Sequence, residues 1–304
     1  MIEEILSLPR HDESSKETGL NRIKRKRMIS SIMTGFFYAG AFGAALLLTI
    51  FVAFVIGQGF LSVNPDILDS LSSIFFNTLY LVVLALFFSA LWGIPAGIFL
   101  AEFAGHGKLT KWVRMAIETL ASLPSIVVGL FGYLVFIVMT GSQWNLMAGA
   151  LSVSIMTMLA SVTEDALEGL PPFYKLGSLG LGASRMQTLI HVELPACFPR
   201  IMTGLILAAG RGFGEAAALM FTAGMSTDID WSNWDILSQS CPLNPFRPGE
   251  TLALHIWALR TEALDPNAAQ IAGVTSAILM LVVVIFNALA RYISWRMEKK
   301  MGGI

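Results

Sequence analysis

One arginine and one glutamate stand where their surroundings favour neither. The run Gly210-Arg211-Gly212-Phe213-Gly214-Glu215-Ala216-Ala217 lies inside the otherwise apolar stretch 199–222. At the centre of a bilayer an arginine or an acid costs about 2.5–3.5 kcal/mol, while each large apolar side chain returns about 0.3–0.6 kcal/mol. The seven large apolar residues of this stretch therefore offset roughly half of the pair's cost, so the segment needs protein or water beside it. Four residues apart, Arg211 and Glu215 fall on one helix face. A guanidinium presents a planar fork of donors that fits phosphate or carboxylate oxygens. The neighbouring carboxylate repels a fully ionised anion but accepts a hydrogen bond from one that still carries a proton. Near neutral pH phosphate keeps a proton and sulfate does not, so the pair suits a protonated oxyanion. The plainer alternative is an internal salt bridge that only neutralises both charges. The three glycines read as surface for close helix packing.

Other reactive residue types are sparse. Glu118, in the apolar stretch 115–139, is a candidate for the same path or for a surface ion pair with Arg114. Pro124 is expected to kink that stretch. No GxxxxGK[ST] loop occurs, and Gly177-Ser178-Leu179-Gly180-Leu181-Gly182 lacks the preceding strand of a dinucleotide site. No nucleophile and base constellation or metal-protease motif is present, so enzymatic chemistry, metals and cofactors are not expected. Cys197 and Cys241 are too few for a disulfide framework or a structural zinc site, and they fall on opposite sides of the topology below. His106, His191 and His255 read as ordinary surface or interface histidines.

The elements that position these residues must lie in a membrane. Of 304 residues, 55% are hydrophobic and 13% charged, and the mean hydropathy is +0.68. A soluble domain carries about a quarter charged residues, and disorder needs the opposite balance. Net charge is −1, which gives no footprint for nucleic acid. Six stretches can span a bilayer, 33–57, 75–103, 115–139, 145–162, 199–222 and 270–293, and they are continuous rather than alternating. The expected class is all-α and polytopic. Seventeen of the 20 basic residues fall before the first span, in the loops 104–114 and 163–200, and in the tail. By the positive-inside rule both termini are cytoplasmic. Residues 1–30 form a basic cytoplasmic arm, 31–297 the six-helix domain and 298–304 a cytoplasmic tail. About thirty polar residues precede the first apolar run, so a cleaved secretory signal is not expected.

Two loops are long. The extracytoplasmic loop 225–268 contains Trp231, Trp234, Pro242, Pro245, Pro248 and Trp257, and its stretch 252–257 is either an interfacial or partner-docking helix or a set of headgroup anchors. The cytoplasmic loop 163–197 is punctuated by Pro171-Pro172. It continues to a second helix opened by a Ser184 and Gln187 capping box and expected to end before Pro195.

Within that loop, Leu176-Gly177-Ser178, Gly182 and Val192-Glu193-Leu194-Pro195 keep the spacing of the E-A-A, three residues, G, nine residues, I-x-L-P pattern. The segment resembles the coupling loop of ATP-binding-cassette importer permeases, although the pattern's glutamate is absent. Asn77 through Phe103, Ile117 through Phe131 and Gly214 through Gly224 narrow the likeness to phosphate-importer permeases of the PstA type, in order over about 75–295. The resemblance implies a type I importer permease fold in a bacterial plasma (inner) membrane. It also implies a second homologous permease subunit, two copies of a cytoplasmic ATPase subunit, an external phosphate-binding protein, and inorganic phosphate as cargo. Arg211 and Glu215 stand at the family's charged positions for phosphate passage. Leu176, Gly177, Ser178, Leu179, Gly182, Ala183, Ser184 and Arg185 stand at the helix that docks into the ATPase.

Two other functions remain open on residues alone. One is an importer for a different oxyanion. The other is a proton-coupled secondary transporter using Glu102, Glu118 or Glu215. Such transporters often show two matching halves with broken spans; these are not legible here, and the ordered cytoplasmic loop would go unexplained.

Overall fold

The computed structural model of the chain describes residues 13–105, 107–156, 158–262 and 266–301. Arg10, His106, Asp265 and residues 302–304 lie outside them. Every regular element among the described residues is helical. The chain divides into two compact units, 1–54 and 55–304. In the first, helix α1 (Glu13–Leu61) begins within the basic arm, and its side chains from Arg25 to Ile50 are all exposed.

The second unit takes in the end of α1 and then α2 (Pro65–Ile98), which starts on a proline in its first turn and ends in a π-helical turn, Phe99–Phe103. There follow α3 (Lys108–Ser122), α4 (Ser125–Gly132) with a π-helical continuation Tyr133–Val138, α5 (Leu146–Ile155) and α6 (Leu159–Glu168). Then come α7 (Pro172–Gly180), α8 (Arg185–Thr188) with the π turn Leu189–Glu193, α9 (Leu194–Gly214) and α10 (Ala217–Thr222). Helices α11 (Leu252–Thr261) and α12 (Ala268–Met301) complete it. Among the described residues, five helical runs are long and apolar enough to cross a membrane, or six if α3 and α4 together make one span.

Between apolar helices in lipid, burial supplies little drive, so close approach must supply contact. Helix α6 is held in this way. A methyl group at Gly97 of α2 would run into the Ala160 carbonyl and Thr163, and one at Gly204 of α9 would lie 2.7 Å from Val162. Leu159, Leu167, Leu189, Cys197 and Ile201 fill the core around α6, and Leu81, Leu146, Val153, Leu219 and Leu254 fill a second core beside α5.

Several expectations are corrected. The third span is not one kinked helix: α3 and α4 meet at 103° across Leu123-Pro124, because proline forces an extended residue before it and cannot donate into the turn. The fourth runs past 162 to Glu168 and is interrupted after Ile155. The fifth is interrupted too, since α9 stops at Gly214 and Glu215 is extended (φ −74°, ψ 119°). The helix opened by Ser184 does not stop at Pro195 either. The π turn Leu189–Glu193 lengthens the repeat to i→i+5, Leu194 donating to the Leu189 carbonyl, and the helix runs on through the proline. The stretch 252–257 lies in α11, where Leu252, Ala253 and Leu254 are buried against α2 and α12, so its first turn is core.

Candidate functional site

The three interruptions meet at one side chain. Arg211, in the last turn of α9, donates through Nη1 to the Ala121 carbonyl of α3 (3.2 Å) and the Met156 carbonyl closing α5 (3.1 Å). Both acceptors belong to the final turn of a helix, where carbonyls have no partner within the helix and the dipole is negative. A cation there satisfies two orphaned acceptors at once. Nε of Arg211 lies 3.5 Å from Glu215 Oε1. Three of the five donors are thus held, and Nη2 has no partner among the described residues. The Arg211 side chain is 37% exposed and that of Glu215 11%. Val128, Met156 and Ala218 pack the junction from α4, α5 and α10, and Gly129 lets α4 approach the Ala218 backbone to within 2.7 Å of where its Cβ would sit.

The expected pairing of Arg211 with Glu215 is present, but not as two positions on one continuous helix face. Nor are the glycines used for close packing: a methyl group added at Gly210 or Gly214 would meet no atom within 4 Å, and one at Gly212 would meet Val82 at an ordinary 3.5 Å. Their low helix propensity fits instead with the helix ending where it does. Glu118 is exposed on α3, one turn before Ala121. Arg114 does not pair with it but lies 2.6 Å from Glu164 and 2.8 Å from Glu168, joining α3 to α6. A cavity of about 570 Å³ opens beside the junction, lined by Trp92, Ile117, Leu120, Leu151 and Ile155 among others. Its walls are almost wholly hydrocarbon, so a hydrated anion gains nothing there.

The segment 163–197 contains α7, α8 and the turn between them. Gly182 adopts φ +86°, with Gly182 N–H bonded to the Leu179 carbonyl and Ala183 N–H to that of Ser178, the Schellman closure that favours glycine. Ser184 and Gln187 form the expected reciprocal cap, at 3.3 and 2.8 Å. Leu176 is 67% exposed, Leu179 is half-buried, and Gly177 has open space around it. Sequence reasoning missed Leu181, which at 92% exposure presents more apolar surface than Leu179.

It also missed Arg247. In the loop between α10 and α11 this side chain is fully buried, donating to Asn77 Oδ1 (2.5 Å), to the Pro242 carbonyl (3.2 and 3.4 Å) and to the Pro248 carbonyl (3.3 Å). No carboxylate pairs with it among the described residues, and burial pushes its pKa below the ordinary value. Its own carbonyl accepts from Leu146 N–H, and that of Pro245 from Met147 N–H, so the loop satisfies the first turn of α5. Three prolines around one arginine were the available signal. His255 lies 3.0 Å from Glu250, half-buried rather than at the surface.

Residues 93–299 match the family described as binding-protein-dependent transport system inner membrane component. The chain is 38% identical over 290 residues to the probable ABC transporter permease protein YqgI of Bacillus subtilis (strain 168), covering 91% of this chain and 98% of that one. It is 31% identical to the phosphate transport system permease protein PstA 2 of Mycobacterium tuberculosis (strain CDC 1551 / Oshkosh), covering 68% and 65%. A chain of the inward-facing MetNI methionine ABC transporter superposes with a TM-score of 0.58 at 15% identity, over 77% of this chain and 99% of that one, a likeness of fold. With interrupted helix ends gathered around Arg211 and matches covering most of its length, this chain belongs to the binding-protein-dependent inner membrane component family, the permease subunits of ABC importers.

Proposed function

We propose that the chain forms one half of an inorganic phosphate path in an ATP-driven importer of a bacterial plasma membrane. It works with a second homologous permease, two copies of a cytoplasmic ATPase and an external phosphate-binding protein. Both termini face the cytoplasm, as the distribution of basic residues supports. The observation that carries the cargo is the state of Arg211: three donors are fixed by two helix ends and a carboxylate, while Nη2 is left for an oxyanion. The guanidinium needs no reorganisation to bind, because its orientation is already set. Helices α4 and α6 begin just beyond two of the breaks, and their unpaired N–H groups add to the attraction for an anion. Glu215 accepts a hydrogen bond from a protonated phosphate and repels sulfate, and Glu118 lines the approach along α3. The name of the mycobacterial relative supports the same cargo.

The ATPase docks at Leu176, Gly177, Ser178, Leu179, Gly182, Ala183, Ser184 and Arg185, and also at the exposed Leu181. Its closure on ATP moves the helix pair and alternates access to the path. In proteoliposomes holding the full assembly, Arg211→Ala should lower ATP-driven phosphate uptake about 100-fold, the equivalent of two charge-assisted hydrogen bonds, while the subunits still copurify. Normal uptake by that variant would remove phosphate from Arg211. Uptake that continues with hydrolysis blocked and a proton gradient present would instead favour a secondary transporter.

A further inference from the structure

Helix α7 buries none of its side chains. A helix that receives force from the ATPase needs a grip on the spans, and no apolar core provides one here. Lys175 of α7 does. Its Nζ contacts Glu102 Oε2, in the π turn that ends α2, and lies 3.7 Å from Glu193 Oε1, in the π turn that leads into α9. The Lys175 side chain is 42% exposed, whereas those of Glu102 and Glu193 are 14% and 5% exposed. Two shielded carboxylates repel each other, and an ammonium set between them offsets that repulsion. Both acids sit on π turns, where the widened repeat turns a side chain away from the line of its helix. A cavity of about 230 Å³ borders the three residues, so α7 stands off from the spans at this point rather than packing into them. Another polar tie, Ser178 Oγ to Thr188 Oγ1 at 2.9 Å, joins α7 to α8 rather than to α2 or α9.

We propose that Lys175 is the positioning residue that transmits movement of α7 to α2 and α9 together, through Glu102 and Glu193. This rests on α7 being the helix that meets the ATPase. The two ideas separate experimentally. Leu181→Asp should release the ATPase during copurification of the complex; retention of the ATPase would overturn α7 as its docking helix and leave the lysine contacts standing.

For the lysine itself, Lys175→Met keeps length and removes charge. The full complex should still copurify and hydrolyse ATP, while phosphate moved per ATP hydrolysed falls about tenfold. Glu102→Gln should give the same uncoupling from the other side of the contact, so a folding defect in one variant does not decide the matter. Lys175→Arg should restore most of the ratio, and the exchange Lys175→Glu with Glu102→Lys should restore part of it. An unchanged ratio in Lys175→Met or in Glu102→Gln would overturn the proposal. So would loss of the ATPase from both variants, because the lysine would then serve docking rather than transmission.

Discussion

Two arginines of this chain sit among helix ends and are used in opposite ways. Arg247 is fully enclosed, and the acceptors around it are neutral carbonyls and one amide that fold a loop onto α2 and α5. Arg211 is more than a third exposed, shares its donors between two helix ends and a carboxylate, and keeps Nη2 unassigned. Both satisfy orphaned backbone acceptors, so capping alone does not separate structure from function. What separates them is access: a fully enclosed guanidinium with four of its five donors engaged can only hold the fold, whereas a partly open one with its Nη2 unpartnered among the described residues can also take a ligand.

The sharpest way to break this comparison is to truncate each side chain in turn. Arg211→Ala is expected to leave the complex assembled and nearly silent in uptake. Arg247→Ala should show the reverse signature, with uptake per folded complex close to normal and thermal stability clearly reduced. Each buried acceptor left unpaired at Arg247 costs about 1–3 kcal/mol. If the two variants showed the same phenotype, the contrast would be empty. A smaller effect is expected from Glu215→Gln, which should narrow the preference for phosphate over sulfate several-fold in competition uptake, at the scale of one charged hydrogen bond. An unchanged preference would remove the carboxylate from selectivity. The smallest effect belongs to Asn77→Asp. The Nδ2 of Asn77 is buried without a partner, so an isosteric carboxylate would discard that donor and give Arg247 a counter-ion. Stability measured by thermal denaturation should rise by about 1 kcal/mol, and a fall would show that Arg247 is better served by neutral partners.

The charged pair, the capping box and the glycine turn at Gly182 were legible because each is set by residues within a few positions of one another. The all-helical, membrane-crossing class was legible from hydropathy. The interruptions were not, although Pro124 hinted at one. Glycines at 210, 212 and 214 are equally compatible with a packed helix, and nothing local says that α5 ends at Ile155. That ending is capped by Arg211, 55 positions away. Arg247 was illegible for the same reason, since its amide partner Asn77 is 170 positions distant. Local pattern gives helices and caps, whereas the places where a helix may stop inside a membrane depend on a distant donor to satisfy the freed carbonyls.

The claim on which the functional account rests is that the Arg211 guanidinium borders a wet route that an oxyanion enters. Gly214, one helical turn on, is exposed with open space around it, and the native Cys197 and Cys241 are both fully buried. A Gly214→Cys variant of the assembled transporter therefore offers one accessible thiol beside the guanidinium. Its rate of reaction with a charged, membrane-impermeant maleimide can be followed through the ATP cycle. The account predicts rapid labelling in at least one state, slowed by phosphate and unaffected by chloride. A thiol that stays unreactive in every state, with phosphate making no difference, would contradict it.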